Sequence, residues 1–415
     1  MISIIILTSL FIVSLFMFKV ISIPTHHIYN IFRATSQSNS RLSFVPSRLS
    51  ALDIAVLVLL VLCKYTTRLF NFHPRLQISR KGTGFDLPKI VLAAPLYVTK
   101  TDLQNFAFAV HQDENQTSKD GKNGKGGEER NSPLLLPAIT TPLLLLMLSN
   151  RHCPIFPFGA INTKNRFEFL DPLACRSVTS LKDASITATF GGDNLPGKRV
   201  KRGMEFEIIV EVEALMVRYG RAERKVIFKQ VNGILVTLPK EMEPEWRGDA
   251  SISTKESTRG LGQMNGISEI KLSSSAPTKW AKVCKDVNPI HMSSLAAKLF
   301  GFSGKIAHGN HVVALVVEKQ RYVGDQREGE QQREGEQQSE GERQSKVQDS
   351  LFWETETPWF LEVNFKRPMV LPLELQVKMM EEDEHGDGNG DGKRRGGFEL
   401  VRGEKVFVSG EYGEL

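Results

Sequence analysis

The chain has 415 residues, enough for two domain-sized cores, with 41% hydrophobic residues and a formal net charge of +6. The positive charge is concentrated at one end, because residues 1–72 carry six Lys or Arg against the single acid Asp53. The rest of the chain is nearly neutral. This distribution argues against a nucleic-acid-binding protein and indicates a targeting or membrane-surface segment at the N-terminus.

The four cysteines, Cys63, Cys153, Cys175 and Cys284, are far apart and show no metal-ligand spacing. We therefore expect reduced thiols, no disulfide framework and no metal site built on cysteine.

The N-terminal region contains two apolar runs. Residues 2–18 are uncharged and end at Lys19, as in a signal peptide or signal anchor, and residues 30–50 are rich in Ser and Arg, as in organelle transit peptides. The second run, Ile54 to Cys63, is short for a membrane span, so a membrane helix, an interfacial helix and a core helix all stay open. We assign residues 1–75 to a hydrophobic targeting or membrane-anchor region.

The N-terminal region indicates the cellular compartment only in general terms. A membrane-associated or organellar location is expected, with the endoplasmic reticulum, a plastid or a mitochondrion undecided. The C-terminal Gly413-Glu414-Leu415 is not a peroxisomal address.

The first folded half is predicted over residues 80–243, with its first strand near residues 90–98. The uncharged stretch 134–148 predicts a buried helix that begins at Pro142. Alternating apolar and polar residues then predict three antiparallel strands. They are Ser180–Phe190, Met204–Leu215 and Ala222–Thr237.

Residues 244–278 read as a loop-like linker to a second half at 279–415. That half is predicted to contain a helix from His311 to about Val323 and then several strands that start near Phe360. Three polar, low-complexity insertions are expected in loops. They are residues 113–131, 324–346 and 381–397.

A compact polar motif opens the second half. Asp286-Val287-Asn288-Pro289-Ile290-His291 places a carboxylate and an imidazole five residues apart, and Pro289 favours an ordered turn over mid-helix geometry. Such a pair can act in general acid–base catalysis, although most turns of this kind are only turns.

The motif resembles the signature of the MaoC-like dehydratases and R-specific enoyl-CoA hydratases. The matching residues are Val283, Cys284, Asp286, Asn288, Pro289, Ile290, His291, Ala297 and Ile306 to Gly309. Two positions depart from it: Trp280 stands where Tyr or Phe is usual, and Lys285 replaces a Gly. The second departure places a bulky cation beside the carboxylate and bears on turn geometry and activity.

The resemblance implies an α+β double hot-dog, in which two antiparallel sheets each wrap a central helix, behind the hydrophobic leader. The two halves parallel each other, but the first has no Asp-x-Asn-Pro-x-His. A single active site in the second half is therefore expected, with the degenerate half helping to house an acyl chain.

The implied reaction is reversible syn hydration of a trans-2-enoyl thioester to the (3R)-hydroxyacyl product, without metal or redox cofactor. Asp286 and His291 would hold one water and exchange its protons, while Asn288 would orient that water or brace the turn. The Gly309 N–H, at a helix N-terminus, would face the thioester oxygen. Ile306, Ala307 and His308 are predicted to contact substrate, with a structural role for His308 also open.

Other functions remain in view. Lys285 favours a catalytically silent hot-dog protein that binds acyl thioesters or serves as an assembly partner at a membrane. The three apolar runs leave an integral membrane protein as a third class. For the enzyme, the expected partner is an acyl-CoA or acyl-carrier-protein thioester, with chain length, carrier and homodimer formation undecided.

Overall fold

The computed structural model describes residues 26–69, 76–79, 84–111, 131–155, 157, 160–200, 203–218, 221–237, 264–334, 355–380 and 395–415. Nine α-helices lie within these ranges, two near the N-terminus and the others divided between two halves. They are α1 (His26–Ser36), α2 (Ala51–Leu69), α3 (Lys100–Val110), α4 (Leu135–Ser149), α5 (Pro172–Arg176), α6 (Ala276–Cys284), α7 (Pro289–Met292), α8 (Ser294–Leu299) and α9 (Gly309–Glu334).

Fourteen strands are found in the same described ranges, and all belong to one sheet. They are β1 (Asn39–Arg41), β2 (Gln77–Ile78), β3 (Gly84–Asp86), β4 (Ile90–Leu96), β5 (Ile161–Phe169), β6 (Ala184–Phe190), β7 (Gly197–Val200), β8 (Gly203–Arg218), β9 (Arg221–Val236), β10 (Met264–Leu272), β11 (Trp359–Phe365), β12 (Leu373–Met380), β13 (Arg395–Arg402) and β14 (Lys405–Glu414).

The strand order reveals an internal repeat. In the first half the order across the sheet is β4-β6-β8-β9-β5, and in the second it is β10-β12-β13-β14-β11. Ranked by position in the sequence, both runs read first, third, fourth, fifth, second. Except for the short α5, the helices of each half lie in the chain between the first and second of these strands. The chain therefore contains two hot-dog units, and the predicted double hot-dog is confirmed.

The two units share one continuous sheet, where the sequence had suggested two. β5 pairs antiparallel with β11 in the register Trp359↔Phe169 to Asn364↔Lys164, which joins the units edge to edge. The rings of Phe169 and Trp359 stack at this seam with centroids 4.1 Å apart. Pairing the two edges satisfies backbone groups that would otherwise be exposed.

Helix α4 lies against the sheet and is buried along nearly its whole length. It begins at Leu135, so the predicted start at Pro142 is wrong, and Pro142 sits inside the helix. Tertiary burial of an uncharged segment outweighs the backbone hydrogen bond that proline removes.

The N-terminal region is part of the fold from His26 onward, which corrects the predicted leader of 75 residues and the predicted start of the folded part. Strand β1 pairs parallel with β4, and Ile31, Leu49 and Leu57 belong to the main hydrophobic core. The Asn150 side chain donates hydrogen bonds to the carbonyl oxygens of Ala34 and Gln37 at 3.0 and 2.7 Å.

A buried lysine ties α2 to the end of α4. The Lys64 Nζ donates to the carbonyl oxygens of Leu148 and Ile155 at 2.8 and 2.7 Å, and burial lowers its pKa. These contacts favour the core-helix alternative for residues 54–63. In the described part of the chain no helix has the length and apolarity to cross a membrane. The predicted transmembrane helix thus lacks support there, and residues 2–18 lie outside the described residues.

Two further boundaries differ from expectation. The predicted linker of residues 244–278 contains β10, which pairs with β12 as the first strand of the second unit, and α6 starts at Ala276. Helix α9 continues to Glu334, into the predicted insertion 324–346, because Glu, Gln and Arg favour helix. Most of the three insertions lies outside the described residues.

A truncation tests the revised boundary. A chain starting at residue 76 loses α1, β1 and α2 and exposes the core face they cover, so we expect aggregation or a strongly lowered melting temperature. A chain starting at residue 26 should unfold cooperatively near the melting temperature of the full chain. Equal thermal stability of the two truncated chains would contradict the inclusion of residues 26–69 in the core.

Candidate active site

The motif turn follows directly from the end of α6. Lys285 adopts a left-handed conformation with φ of 55°, and its N–H closes the helix by donating to the Ala281 carbonyl oxygen at 3.0 Å. Glycine is the usual residue for this C-terminal conformation because it has no Cβ. This accounts for the glycine that the resemblance leads one to expect at this position, and Lys285 keeps the turn geometry at a cost in backbone strain.

A chain of side-chain hydrogen bonds then fixes the turn. The Asp286 Oδ1 accepts the N–H of Asn288 at 3.0 Å, and the Asn288 Oδ1 accepts the N–H of Ile290 at 3.3 Å. Asn288 is the N-cap of α7, with Pro289 in its first turn. The amide of Asn288 is thus engaged as a brace for the turn.

His291 is held in one orientation by the second part of the motif. Its Nδ1 lies 2.9 Å from the carbonyl oxygen of Ile306. A carbonyl only accepts, so Nδ1 carries the proton, and the Nε2 of a neutral ring holds a lone pair. His291 can therefore accept a proton at Nε2.

His308 is buried beside both predicted catalytic residues. Its ring stacks on His291 with centroids 3.9 Å apart, and its Nε2 lies 3.2 Å from the backbone oxygen and 3.6 Å from Oδ2 of Asp286. Burial, and then the neighbouring His291 and His311, hold the pKa of His308 well below its ordinary value. A neutral His308 with its proton on Nε2 donates toward Asp286, which suits a positioning role.

Gly309 begins α9 and lines the same cavity. An added Cβ would lie 2.6 Å from the ring of Phe365, so the absence of a side chain makes room for this ring. The N–H groups in the first turn of a helix have no partner within the helix, and the helix dipole favours negative charge there.

Ile306 and Ala307 are held by backbone bonds to neighbouring segments. The N–H of Ile306 donates to the Ile290 carbonyl at 3.2 Å, and that of Ala307 to the Met369 carbonyl at 2.8 Å. Both side chains are buried and line the cavity. All seven predicted site residues therefore meet at one cavity wall.

The cavity has a volume of about 370 Å³ and spans both hot-dog units. One part is polar, with Asp286, His291 and His308, while another is lined by aliphatic residues of α2 and α4. Sequence reasoning did not place several of its lining residues at the site. They include Val58 and Val61 of α2, Asn162 and Asn232 of the first unit, and Lys366 and Arg367 after β11.

A second buried imidazole, His311, links the units. Its Nε2 donates to the Ala109 carbonyl at 2.8 Å, and its ring stacks on Trp280 with centroids 4.8 Å apart. Trp280, the aromatic departure from the motif, also contacts Phe106 of α3 with ring centroids 5.8 Å apart. No role could be assigned to His311 from the sequence, since only the fold brings α3 beside α9.

The same residues are also spaced to share a metal ion. Ligand atoms of Asp286, His291 and His308 lie within 4.8 Å of one another. However, His291 Nδ1 and His308 Nε2 are already directed at carbonyl oxygens, which leaves one nitrogen on each ring for any other use.

Comparison with known protein families gives one match in this region. The sequence model described as "MaoC like domain" matches residues 262–331, which contain β10, the motif turn and all but the last three residues of α9. Residues 262–331 are thus similar to a MaoC-like domain. The match covers the second unit in part and leaves the first unit unmatched.

A curated relative is similar over a longer stretch of the chain. The 3-hydroxyacyl-thioester dehydratase X of Mycobacterium tuberculosis is 26% identical over 190 residues, which are 45% of this chain and 58% of that protein. The chain thus matches less than two thirds of the length of this relative.

Solved structures include two similar chains of low identity. The HtdX structure from M. tuberculosis has a TM-score of 0.47 at 16% identity, covering 78% of this chain and 100% of that one. A MaoC-like dehydratase from Phytophthora capsici has a TM-score of 0.48 at 14% identity, covering 79% and 95%. The repeated strand order remains the observation that defines the fold here.

Replacing Lys285 with glycine tests the strain at the turn. The left-handed backbone costs a residue with a Cβ about 1 kcal/mol, so Lys285→Gly should raise the free energy of unfolding by roughly that amount. Lys285→Ala is the matched control, because it removes the charge and keeps the Cβ. Equal stabilisation by both substitutions in chemical denaturation would assign the effect to charge instead of backbone.

His311 predicts a pH dependence of stability. Burial is the main cause that lowers its pKa to about 4, against the hydrogen bond to Ala109 and with a smaller contribution from Lys279. The unfolded chain therefore binds a proton that the folded chain excludes. The contribution of neutral His311 to the free energy of unfolding is fully present above about pH 6.5. It falls by about 1.4 kcal/mol per pH unit as the pH drops toward 4.

The measurement is the free energy of unfolding at pH 7 and pH 5 for the native chain and for His311→Gln. The glutamine amide retains a donor for Ala109 and does not titrate. We expect the variant to lose roughly 2 kcal/mol less than the native chain over this interval. The same loss in both proteins would contradict an excluded proton at His311.

Proposed function

We propose that the chain is a hydro-lyase that interconverts (3R)-3-hydroxyacyl and trans-2-enoyl thioesters in fatty acyl metabolism. The observation that carries this proposal is the placement of Asp286 and His291 at the polar part of a cavity whose remainder is largely aliphatic. The matched domain and the thioester dehydratase relative support the same reaction class.

The geometry of the pair suits a bound water. A carboxylate oxygen of Asp286 and a ring nitrogen of His291 lie within 4.8 Å of each other, so one water can lie between the two side chains. In hydration, the water oxygen bonds to C3 of the enoyl group, one water proton passes to this pair, and the pair returns a proton to C2. The pair ends in its starting state, and the reverse sequence releases water.

Negative charge grows on the thioester oxygen as the C3–O bond forms. The N–H of Gly309 at the start of α9 is the proposed donor to that oxygen, with support from the helix dipole. No acidic residue lies in the first turn of α9 to oppose this charge. His308 is proposed to position Asp286, because its donor points at that residue.

Recognition of the carrier is proposed for the cavity rim. Lys366 and Arg367 are exposed and line the cavity beside Phe365. The CoA and acyl-carrier-protein forms of a thioester both bear phosphate, which these cations can bind. Comparing matched CoA and carrier-protein substrates decides between the two carriers.

An organellar location stays our proposal for the chain. Residues 2–18 are apolar and lie outside the described residues, whereas residues 28–49 contribute to the core. A cleaved targeting segment would therefore have to end before α1. Fractionation of cells that produce the full chain with a C-terminal tag tests this proposal.

Two substitutions test the acid–base pair with little disturbance of the turn. Asp286→Asn retains an oxygen for the Asn288 N–H, and His291→Asn places an amide nitrogen where Nδ1 donates to Ile306. Each should lower kcat for hydration of crotonyl-CoA by about 10²–10⁴-fold, followed as loss of enoyl absorbance. Unchanged thermal unfolding serves as the check on structure.

The contrary outcomes are distinct. No turnover by the full native chain on CoA and carrier-protein substrates of several lengths would overturn the enzymatic proposal and favour an acyl-thioester-binding protein. Turnover that survives both substitutions would leave a hydratase but remove Asp286 and His291 from its chemistry.

A further inference from the structure

The aliphatic part of the cavity has a wall that belongs to neither hot-dog unit. Helix α2 contributes Ile54, Leu57, Val58 and Val61, which recur at the spacing of one helix face. Helix α4 of the first unit contributes Leu144, Leu145 and Leu148 to the same cavity. The cavity is thus continuous from Asp286 to a segment more than 200 residues earlier in the chain.

We propose that α2 is a specificity element, whose aliphatic face packs against the distal part of the substrate's acyl chain and limits the chain length accepted. This inference rests on the proposed function and deepens it: the preferred substrate is an acyl thioester with a chain long enough to reach α2. The N-terminal segment then acts as part of the binding site.

The cavity has one polar region and one aliphatic region, which together fit a ligand with a polar end and an apolar chain. The acid–base residues and the start of α9 surround one region, whereas the α2 residues that line the cavity carry no charge. Burial of one methylene contributes roughly a fourfold gain in affinity or in kcat/KM, so a chain that reaches α2 gains strongly over a crotonyl group.

A specificity wall must be fixed in place, and α2 is capped at its start and tied to α4 near its end. At its start, Asp53 accepts hydrogen bonds from the Ser50 N–H and hydroxyl at 2.8 and 2.7 Å. Near its end, Lys64 donates to the Leu148 and Ile155 carbonyls, the first of which belongs to α4. The distance between the two aliphatic walls is therefore held near the end of α2 by the bond from Lys64 to α4.

Val58 offers the sharpest test because it is half-buried and lines the cavity. Val58→Trp should fill the space beside α4, and Val58→Ala should enlarge it. Leu62→Trp is the matched control: this residue lies one turn further on α2, is 47% exposed and is not a lining residue. All variants are made in the full chain, with thermal unfolding as the check on folding.

The readout is kcat/KM for trans-2-dodecenoyl-CoA relative to crotonyl-CoA. We expect Val58→Trp to lower this ratio by about tenfold or more, Val58→Ala to raise it, and Leu62→Trp to leave it unchanged. Calorimetric binding of saturated acyl-CoA of increasing length runs in parallel. The affinity for long-chain acyl-CoA should be lower in Val58→Trp than in the native chain.

The two proposals fail in different ways. Hydration of crotonyl-CoA with a ratio that both Val58 variants leave unchanged would overturn the role of α2 and keep the hydratase. If no turnover is found, but acyl-CoA binding depends on chain length and Val58→Trp lowers the chain length that binds best, the hydratase proposal is overturned. The role of α2 as a wall of the binding site then stands. Should Val58→Trp not fold, an Ala variant without any change in long-chain kcat/KM or binding overturns the role of α2.

Discussion

The antiparallel pairing of β5 with β11 is the interaction on which the rest of the structure depends. It joins two five-stranded units edge to edge, with Phe169 and Trp359 stacked at the seam. The pairing brings the helices of the two units together, so that α3 packs on α6, and α9 contacts α4. The cavity lies between these units, and its polar and aliphatic parts come from different halves of the chain.

Two buried imidazoles stabilise this arrangement as long as both rings are neutral. His308 and His311 are both almost fully buried, and burial lowers the pKa of each. Both rings are therefore neutral near pH 7, and each donates one hydrogen bond to a carbonyl oxygen. The His308 bond holds the Asp286 turn, while the His311 bond ties α9 to α3. The neutral state of both rings therefore preserves the site and the contact between the units.

Local patterns in the sequence were sufficient for the motif and for most strands. The hydrogen bonds of Asp286, Asn288 and His291 span two to fifteen residues, and the alternation along β8, β9, β11 and β12 reports a two-faced sheet directly. The repeated helix-and-strand pattern correctly indicated two similar units.

What the sequence left undetermined depends on distant partners. An apolar run such as Ile54 to Cys63 has the same hydropathy in a membrane and in a protein core, and only the fold shows Lys64 bonded to the end of α4. Strand β10 was assigned to a linker because residues 244–278 are loop-like in composition and end in a Ser/Pro-rich stretch, and its partner strand β12 lies far away in the sequence, at Leu373–Met380. Lys285 looked disruptive, since its left-handed backbone cannot be read from residue type.

The most direct measurement is a crystal structure of the full chain, carrying Asp286→Asn, with a bound medium-chain trans-2-enoyl-CoA. We expect the thioester oxygen to lie within hydrogen-bonding distance of the Gly309 N–H and C3 to face residue 286 and His291. The distal part of the acyl chain should lie between α2 and α4. A ligand bound away from residue 286, or an acyl chain that leaves the cavity without contact with either helix, would contradict this expectation.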